Sequence, residues 1–169
     1  MTIRPARVSD VPGIQQQIQV YADRGLMIRR SLAELYQSIR EFLVALDDEN
    51  RVVGCVALHV FWDDLAEIRC LAVAEHEQGL GIGRRLVDAC CDVARELEIK
   101  SIFALTNSTG FFERCGYQQI ERTELPQAVW SECVRCPSFP NCQETALIRA
   151  VDREATEGEV TSRLAAADR

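Results

Sequence analysis

The apolar positions of this chain alternate between a helical spacing and short runs that read as strands. Val11, Ile14, Ile18 and Tyr21 recur every three or four residues behind Ser9 and Asp10, either of which can cap a helix with Pro12 in its first turn. After Gly25, Ser31 and Glu34 form an S-x-x-E capping box, and Leu32, Leu35, Ile39 and Phe42 follow at helical spacing. Residues 3–6, "FLVAL" (42–46), "VVGCVALHVF" and "AEIRCLAV" read as strands, the last two joined near Asp63 and Asp64. The longest amphipathic run follows a glycine-rich loop, with Ile82, Leu86, Val87, Cys90, Val93, Ala94 and Leu97 as its predicted inner face. "SIFALT" then reads as a buried strand, "GFFERCGY" as a short helix stopped by Gly116, and "YQQIE" and "TALIRA" as final strands. Between those two, Leu125 to Cys142 reads as irregular and rich in Cys and Pro, and the charged stretch from about Asp152 is expected to fray. Helices, then a strand meander, then strand–loop–helix–strand predict an α/β (α+β) three-layer domain over residues 1–151, with 152–169 as a tail.

Composition narrows the partners. Hydrophobic residues make up 47% of the 169, enough for a substantial core. The net charge is −7 and Lys/Arg residues do not cluster, which argues against nucleic acid or an anionic membrane as partner. No apolar stretch reaches the roughly 20 residues that span a bilayer, and the N-terminus has no apolar signal region. Eight cysteines without a secretion signal read as reduced thiols. The expectation is a cytoplasmic protein acting on a small molecule, with a homodimer left open.

Gly79, Gly81 and Gly83 stand two residues apart immediately before the long amphipathic run. A dinucleotide fingerprint would need a further glycine at position 84 or 86, where Arg84 and Leu86 stand, and no Gly-Lys-Ser/Thr triplet of a P-loop is present. What remains is a strand ending at Val73, a loop and a helix N-terminus near Gly81–Arg84. Free N–H groups at the positive end of a helix dipole suit phosphate, and glycine lets the backbone approach it at positive φ.

Gln78-Gly79-Leu80-Gly81-Ile82-Gly83 is similar to the Q/R-x-x-G-x-G/A motif of the GNAT acyltransferase superfamily. "AEIRCLAV" before the motif and "FALTNSTGFFERCGY" after it resemble the family's flanking segments, and the resemblance covers most of residues 1–150. It implies the GNAT fold, a central mixed, mostly antiparallel sheet of about seven strands flanked by helices and splayed at the cofactor site, with acetyl-CoA as cosubstrate. For this chain it implies backbone contacts to the cofactor at Leu71 and Val73. It also implies a loop cradle at Gln78, Gly79, Gly81, Ile82, Gly83 and Arg84, and contacts from Asn107 and Phe112. "GLMIRRSLAELYQSIREF", "GCVALHVFWDDLAEIRCLAV" and "ELPQAVWSECVRCPSFPNCQETAL" further resemble short, stand-alone N-acetylglutamate synthases of bacterial arginine biosynthesis, with Arg29 where proline is frequent. That narrower likeness implies acetylation of the α-amine of L-glutamate. Another amine (glutamine, a polyamine, an aminoglycoside, a protein N-terminus) and a non-catalytic acyl-CoA sensor stand as alternatives.

Acetyl transfer to an amine requires removal of the ammonium proton and stabilisation of an oxyanion. The strand period of "AEIRCLAV" predicts Glu67, Arg69, Leu71 and Val73 on one face. Glu67 matches the position where several GNAT enzymes carry their catalytic glutamate, and it is the candidate general base. The general acid is unassigned: Phe111 and Phe112 stand where many members have tyrosine, and Tyr117, Cys70, Cys115 or a water stay open. A glutamate substrate carries two carboxylates, which forked arginine donors suit; Arg69 and Arg30 are the candidate substrate ligands, with Arg29 as a third option. His59 reads as a core histidine and His76 as an exposed one. Cys133, Cys136 and Cys142 form a cluster that lacks a fourth ligand, so no metal is expected; these three would be zinc ligands only if Cys115 or a distant residue completed the set.

Overall fold

The computed structural model describes residues 1–134 and 140–151, so the predicted tail and Cys136 lie outside the described residues. The strands form one sheet in the order β1 (Thr2–Pro5), β2 (Phe42–Leu46), β3 (Val52–Val60), β4 (Leu65–Val73), β5 (Ser101–Thr106), β7 (Thr145–Ala150) and β6 (Gln118–Ile120). Every neighbouring pair is antiparallel except β4 and β5, which bears out the mixed, mostly antiparallel sheet. The unbroken apolar run of β2 follows from its central place: Phe42, Val44 and Leu46 pack on one face, Leu43 and Ala45 on the other. Helices α1 (Val11–Ala22) and α2 (Leu32–Gln37) cover the first face, and α3 (Ile82–Glu96) covers the second with Ile82, Leu86, Val87 and Cys90. Helix α4 (Thr109–Arg114) adds Phe112 to the α3 layer. Among the described residues no helix is long and apolar enough to cross a membrane.

Local chemistry explains most element ends. The Ser31 hydroxyl accepts from Glu34 N at 3.2 Å while the Glu34 carboxylate accepts from Ser31 N at 2.7 Å, so the predicted box starts α2. The helix stops at Gln37, and residues 39–41 tighten into a 3-10 turn, so Ile39 and Phe42 do not continue its stripe. At α1 neither predicted side chain caps. The Asp10 carboxylate instead accepts both guanidinium nitrogens of Arg4, at 2.7 and 3.1 Å, and the Arg7 N–H at 2.7 Å. Leu97 falls one residue beyond α3 and is 53% exposed rather than core. The stretch expected to be irregular contains helix α5 (Gln127–Cys133), whose Val129 joins Leu125, Phe103 and Ile148 in a third apolar cluster.

Two irregularities of β4 shape everything that follows. His59 pairs with Glu67 and Ala57 with Arg69, but Cys55 pairs with Ala72, so β4 carries one extra residue opposite Val56. This is a β-bulge, and Cys70 takes it at φ +53°, a left-handed conformation uncommon for a residue with a side chain. One added residue inverts the side-chain alternation. Leu71 and Val73 therefore pack with the α3 layer beside Ala66 and Ile68, while Cys70 and Ala72 join the α1 layer. The single face expected for Glu67, Arg69, Leu71 and Val73 thus ends at Arg69. The parallel ladder between β4 and β5 is equally brief, covering only Leu65–Ser101, Ala66–Ile102 and Glu67–Phe103. Beyond Glu67 and Phe103 the two strands part, and the expected splay opens with Glu67 at its apex.

Candidate functional site

Gly79 and Gly81 have φ of +78° and +80°, and a Cβ on either would meet no atom within 4 Å. Gly81 is the N-cap of α3, and the first bond of that helix runs from Arg85 N to Gly81 O at 3.1 Å. Among the described residues, the backbone N–H groups of residues 79–84 meet no acceptor. A loop with open space above it and a row of free donors at a helix N-terminus fits the pyrophosphate of CoA. Gly83 serves differently. Its conformation is ordinary, but a Cβ there would stand 3.2 and 3.3 Å from Cε2 and Cζ of Phe111.

The other predicted cofactor residues separate by layer. The Gln78 side chain donates to the Tyr21 hydroxyl at 2.6 Å, and Tyr21 in turn donates to the Val73 carbonyl, which pins the start of the loop to α1 and the end of β4. Ile82 is 2% exposed and offers the loop only its backbone. Arg84 is exposed, 3.9 Å from Asp88, and Asn107 is exposed on the turn after β5, across the splay from β4. Phe112 is buried edge-on against Tyr117 and Phe111 with both centroids at 5.2 Å, so its ring belongs to the core; Phe111, half-buried against Gly83, is the ring beside the loop. The residue pattern "FF" gave no means of choosing between them.

On the α1 face, at the apex of the splay, polar groups gather. Glu67 is only 8% exposed, and its Oε2 accepts from Arg69 Nε at 2.6 Å. Arg30, just before α2, has its Nη1 3.8 Å from Glu34 Oε1 and lies near enough to Cys70 for its charge to act on the thiol. Burial pushes the Cys70 thiol above its ordinary value, with Arg30 opposing that shift. His59, the register partner of Glu67, holds its Nδ1 3.0 Å from Oε1 of Glu41. Glu67, Arg69 and His59 thus share one face where β3 and β4 pair, with Cys70 past the bulge and Arg30 near Cys70. His59 was expected as a plain core residue, and its carboxylate partner is the feature that sequence could not supply. Arg29 points elsewhere, to Asp23 at 2.7 Å, and His76 is exposed beside Glu77.

Of the remaining candidates, Cys133 is near enough to Glu67 for that charge to raise its thiol, while two lie in the opposite layer. Tyr117 and Cys115 are buried in the α3 layer. Cys133 accepts from Arg122 at 3.5 Å, and Cys142 donates to Glu144 at 3.7 Å. Among the described residues no group of three His, Cys, Asp or Glu side chains is placed to hold a metal ion.

Comparison with known proteins agrees with this geometry. Residues 16–117 match the acetyltransferase (GNAT) family. An N-acetyltransferase of Chlorobaculum tepidum is 39% identical over 149 residues, covering 88% of this chain and 96% of the relative. An amino-acid acetyltransferase of Mycobacterium tuberculosis is 43% identical over 135 residues, covering 79% and 77%. Among solved structures, a Mycobacterium tuberculosis protein in complex with CoA and NLQ superposes with a TM-score of 0.78 at 36% identity, over 89% of this chain and 99% of that one. The N-acetylglutamate synthase of Neisseria gonorrhoeae, complexed with CoA and N-acetyl-glutamate, superposes with a TM-score of 0.82 at 32% identity; it matches 90% of this chain, which spans 35% of that longer one. The glycine loop, the splayed strands and these likenesses lead to one conclusion: this chain belongs to the GNAT family of acetyltransferases, with acetyl-CoA as its acyl donor.

Proposed function

We propose that the protein transfers the acetyl group of acetyl-CoA to the α-amine of L-glutamate, forming N-acetylglutamate for arginine biosynthesis. The observation that carries this reading is the buried Glu67 carboxylate held by the Arg69 guanidinium at the apex of the β4–β5 splay, with Arg30 near Cys70 as a second cation. An acidic acceptor needs forked cationic donors for its carboxylates, and such pairs contribute roughly twice what neutral hydrogen bonds do. The amino-acid acetyltransferase relative and the N-acetylglutamate synthase neighbour support the same substrate class.

Bound acetyl-CoA supplies an activated acyl carbon at the splay. Glu67 takes the ammonium proton, and Arg69 orients its carboxylate. The freed amine forms a C–N bond to the acyl carbon as the C–S bond breaks; the sulfur leaves with the electron pair and takes up the second proton that the nitrogen loses. Free N–H groups of residues 79–84 hold the pyrophosphate, which fixes where the thioester lies.

Incubation with acetyl-CoA and single amines, read by mass spectrometry, tests the assignment; N-acetylglutamate is the expected product. Acetylation of other amines but not of glutamate overturns it. Mass detection avoids the background that eight cysteines give to a thiol dye. Glu67→Gln should lower kcat by about 10²–10⁴-fold, most strongly below the pKa of the amine. Unchanged rates across pH remove Glu67 as the base.

A further inference from the structure

A base as enclosed as Glu67 must pass its proton outward before the next turnover. The groups around it form a line to solvent. His59 on β3 is its direct cross-strand neighbour, an arrangement that sets the two Cβ atoms about 4.5–5.5 Å apart on the same face. The His59 ring is held on two sides, by Glu41 at 3.0 Å from Nδ1 and by the edge of Phe61 with centroids 6.0 Å apart. Exposure rises along the line: the Glu67 side chain is 11% exposed, that of His59 28% and that of Glu41 34%.

We propose that His59 is the proton outlet of the acceptor site and that Glu41 is the positioning residue that sets its ring; this rests on the reading of Glu67 as the base. The Glu41 carboxylate takes the N–H of Nδ1, which leaves the lone pair on Nε2. Protonated Glu67 returns its proton to Nε2, directly or through one water, and becomes a carboxylate again. The imidazolium formed is stabilised by Glu41 and then releases the same proton to solvent, so the relay ends as it began. Among the described residues, the charged groups facing His59 are Glu67 and Arg69 from β4 and Glu41 from the turn before β2.

The test uses the full chain with acetyl-CoA and glutamate. His59→Gln should lower kcat by about 10²-fold and change the pH dependence of kcat. The KM values of both substrates should stay within about twofold, since the relay binds neither. In His59→Gly, added imidazole should recover at least about tenfold of the lost kcat, and Glu41→Gln should show a smaller fall than His59→Gln. Wild-type kcat and pH profile in His59→Gln overturn the proposal. So does an inactive His59→Gly that imidazole fails to revive, because that result marks a structural role. Either outcome leaves the base reading intact so long as Glu67→Gln is impaired. An active Glu67→Gln defeats the base reading itself.

Discussion

Replacing Tyr117 with phenylalanine should stabilise the protein. Tyr117 is 3% exposed, and its hydroxyl is a buried polar group with no hydrogen-bond partner among the described residues. Burial also pushes that hydroxyl well above its ordinary pKa, with the neighbouring Cys91 and Cys90 acting in the same direction. The ring packs edge-on against Phe112 at 5.2 Å and 79°, a contact that phenylalanine keeps unchanged. An unsatisfied buried hydroxyl costs about 1–3 kcal/mol, so Tyr117→Phe should recover about 1–2 kcal/mol. In a chain of this size each kcal/mol moves Tm by about 2–4 °C, which gives an expected rise of about 2–8 °C. Thermal melts by circular dichroism at one pH, together with urea titrations showing an unchanged m-value, measure the effect. Acetyl-transfer kcat should not change, since Tyr117 lies in the α3 layer and not on the face of Glu67. A fall in Tm of more than about 2 °C refutes the reasoning, because it means that the hydroxyl has a partner worth a hydrogen bond. A fall in kcat at unchanged Tm makes Tyr117 the missing general acid.

Three further outcomes follow from the geometry. Gly81→Ala should cost about 1–2 kcal/mol and lower Tm although no atom lies within 4 Å of the new methyl, because φ is +80° there; an unchanged melt refutes the backbone argument. The Arg4 guanidinium beside Asp10 holds that carboxyl below the usual range, so its contribution is complete above about pH 5 and is lost as pH falls through the folded value. Asp10→Asn should therefore cost about 2 kcal/mol at pH 7 and flatten the acid limb of a Tm–pH curve, and an unaltered limb would count against it. Arg30→Ala should raise KM for glutamate about 10- to 100-fold with KM for acetyl-CoA constant, and steady-state kinetics with each substrate varied in turn read the split.

How much of this was legible in the sequence depended on how local the cause was. The QGLGIG loop and α3 were legible because positive-φ glycines and a 3.6-residue stripe act within a few residues of themselves. The α2 cap was legible for the same reason. The bulge at Cys70 was not, because the extra residue is defined only by pairing with β3, and cysteine carries no signal for a left-handed backbone. Leu71 and Val73 consequently exchanged faces. Tyr21 and Gln78, 57 residues apart, meet only once the sheet and α1 are assembled. Phe111 and Phe112 could be told apart only by the phase of α4 against Gly83. Helix α5 was hidden because Cys and Pro dominate the composition around it, while its apolar contacts are supplied by β5 and β7. Glu67 and Arg69 were named correctly as neighbours on one face, yet the placing of His59 opposite Glu67 and of Arg30 near Cys70 is purely tertiary.

The inverted alternation in β4 also bears on how such a protein can diverge. Positions before Cys70 that face α1 and those after it that face α3 belong to separate compartments of one strand. A substitution at 67 or 69 changes the polar groups on the α1 side of the strand and leaves the packing beneath the glycine loop untouched. Deleting Cys70 itself would restore strict alternation with each remaining residue on its present face, whereas losing a residue elsewhere in the strand would turn one compartment over. The strand should thus tolerate drift in the identity of its residues far better than a change in their number anywhere but at the bulge.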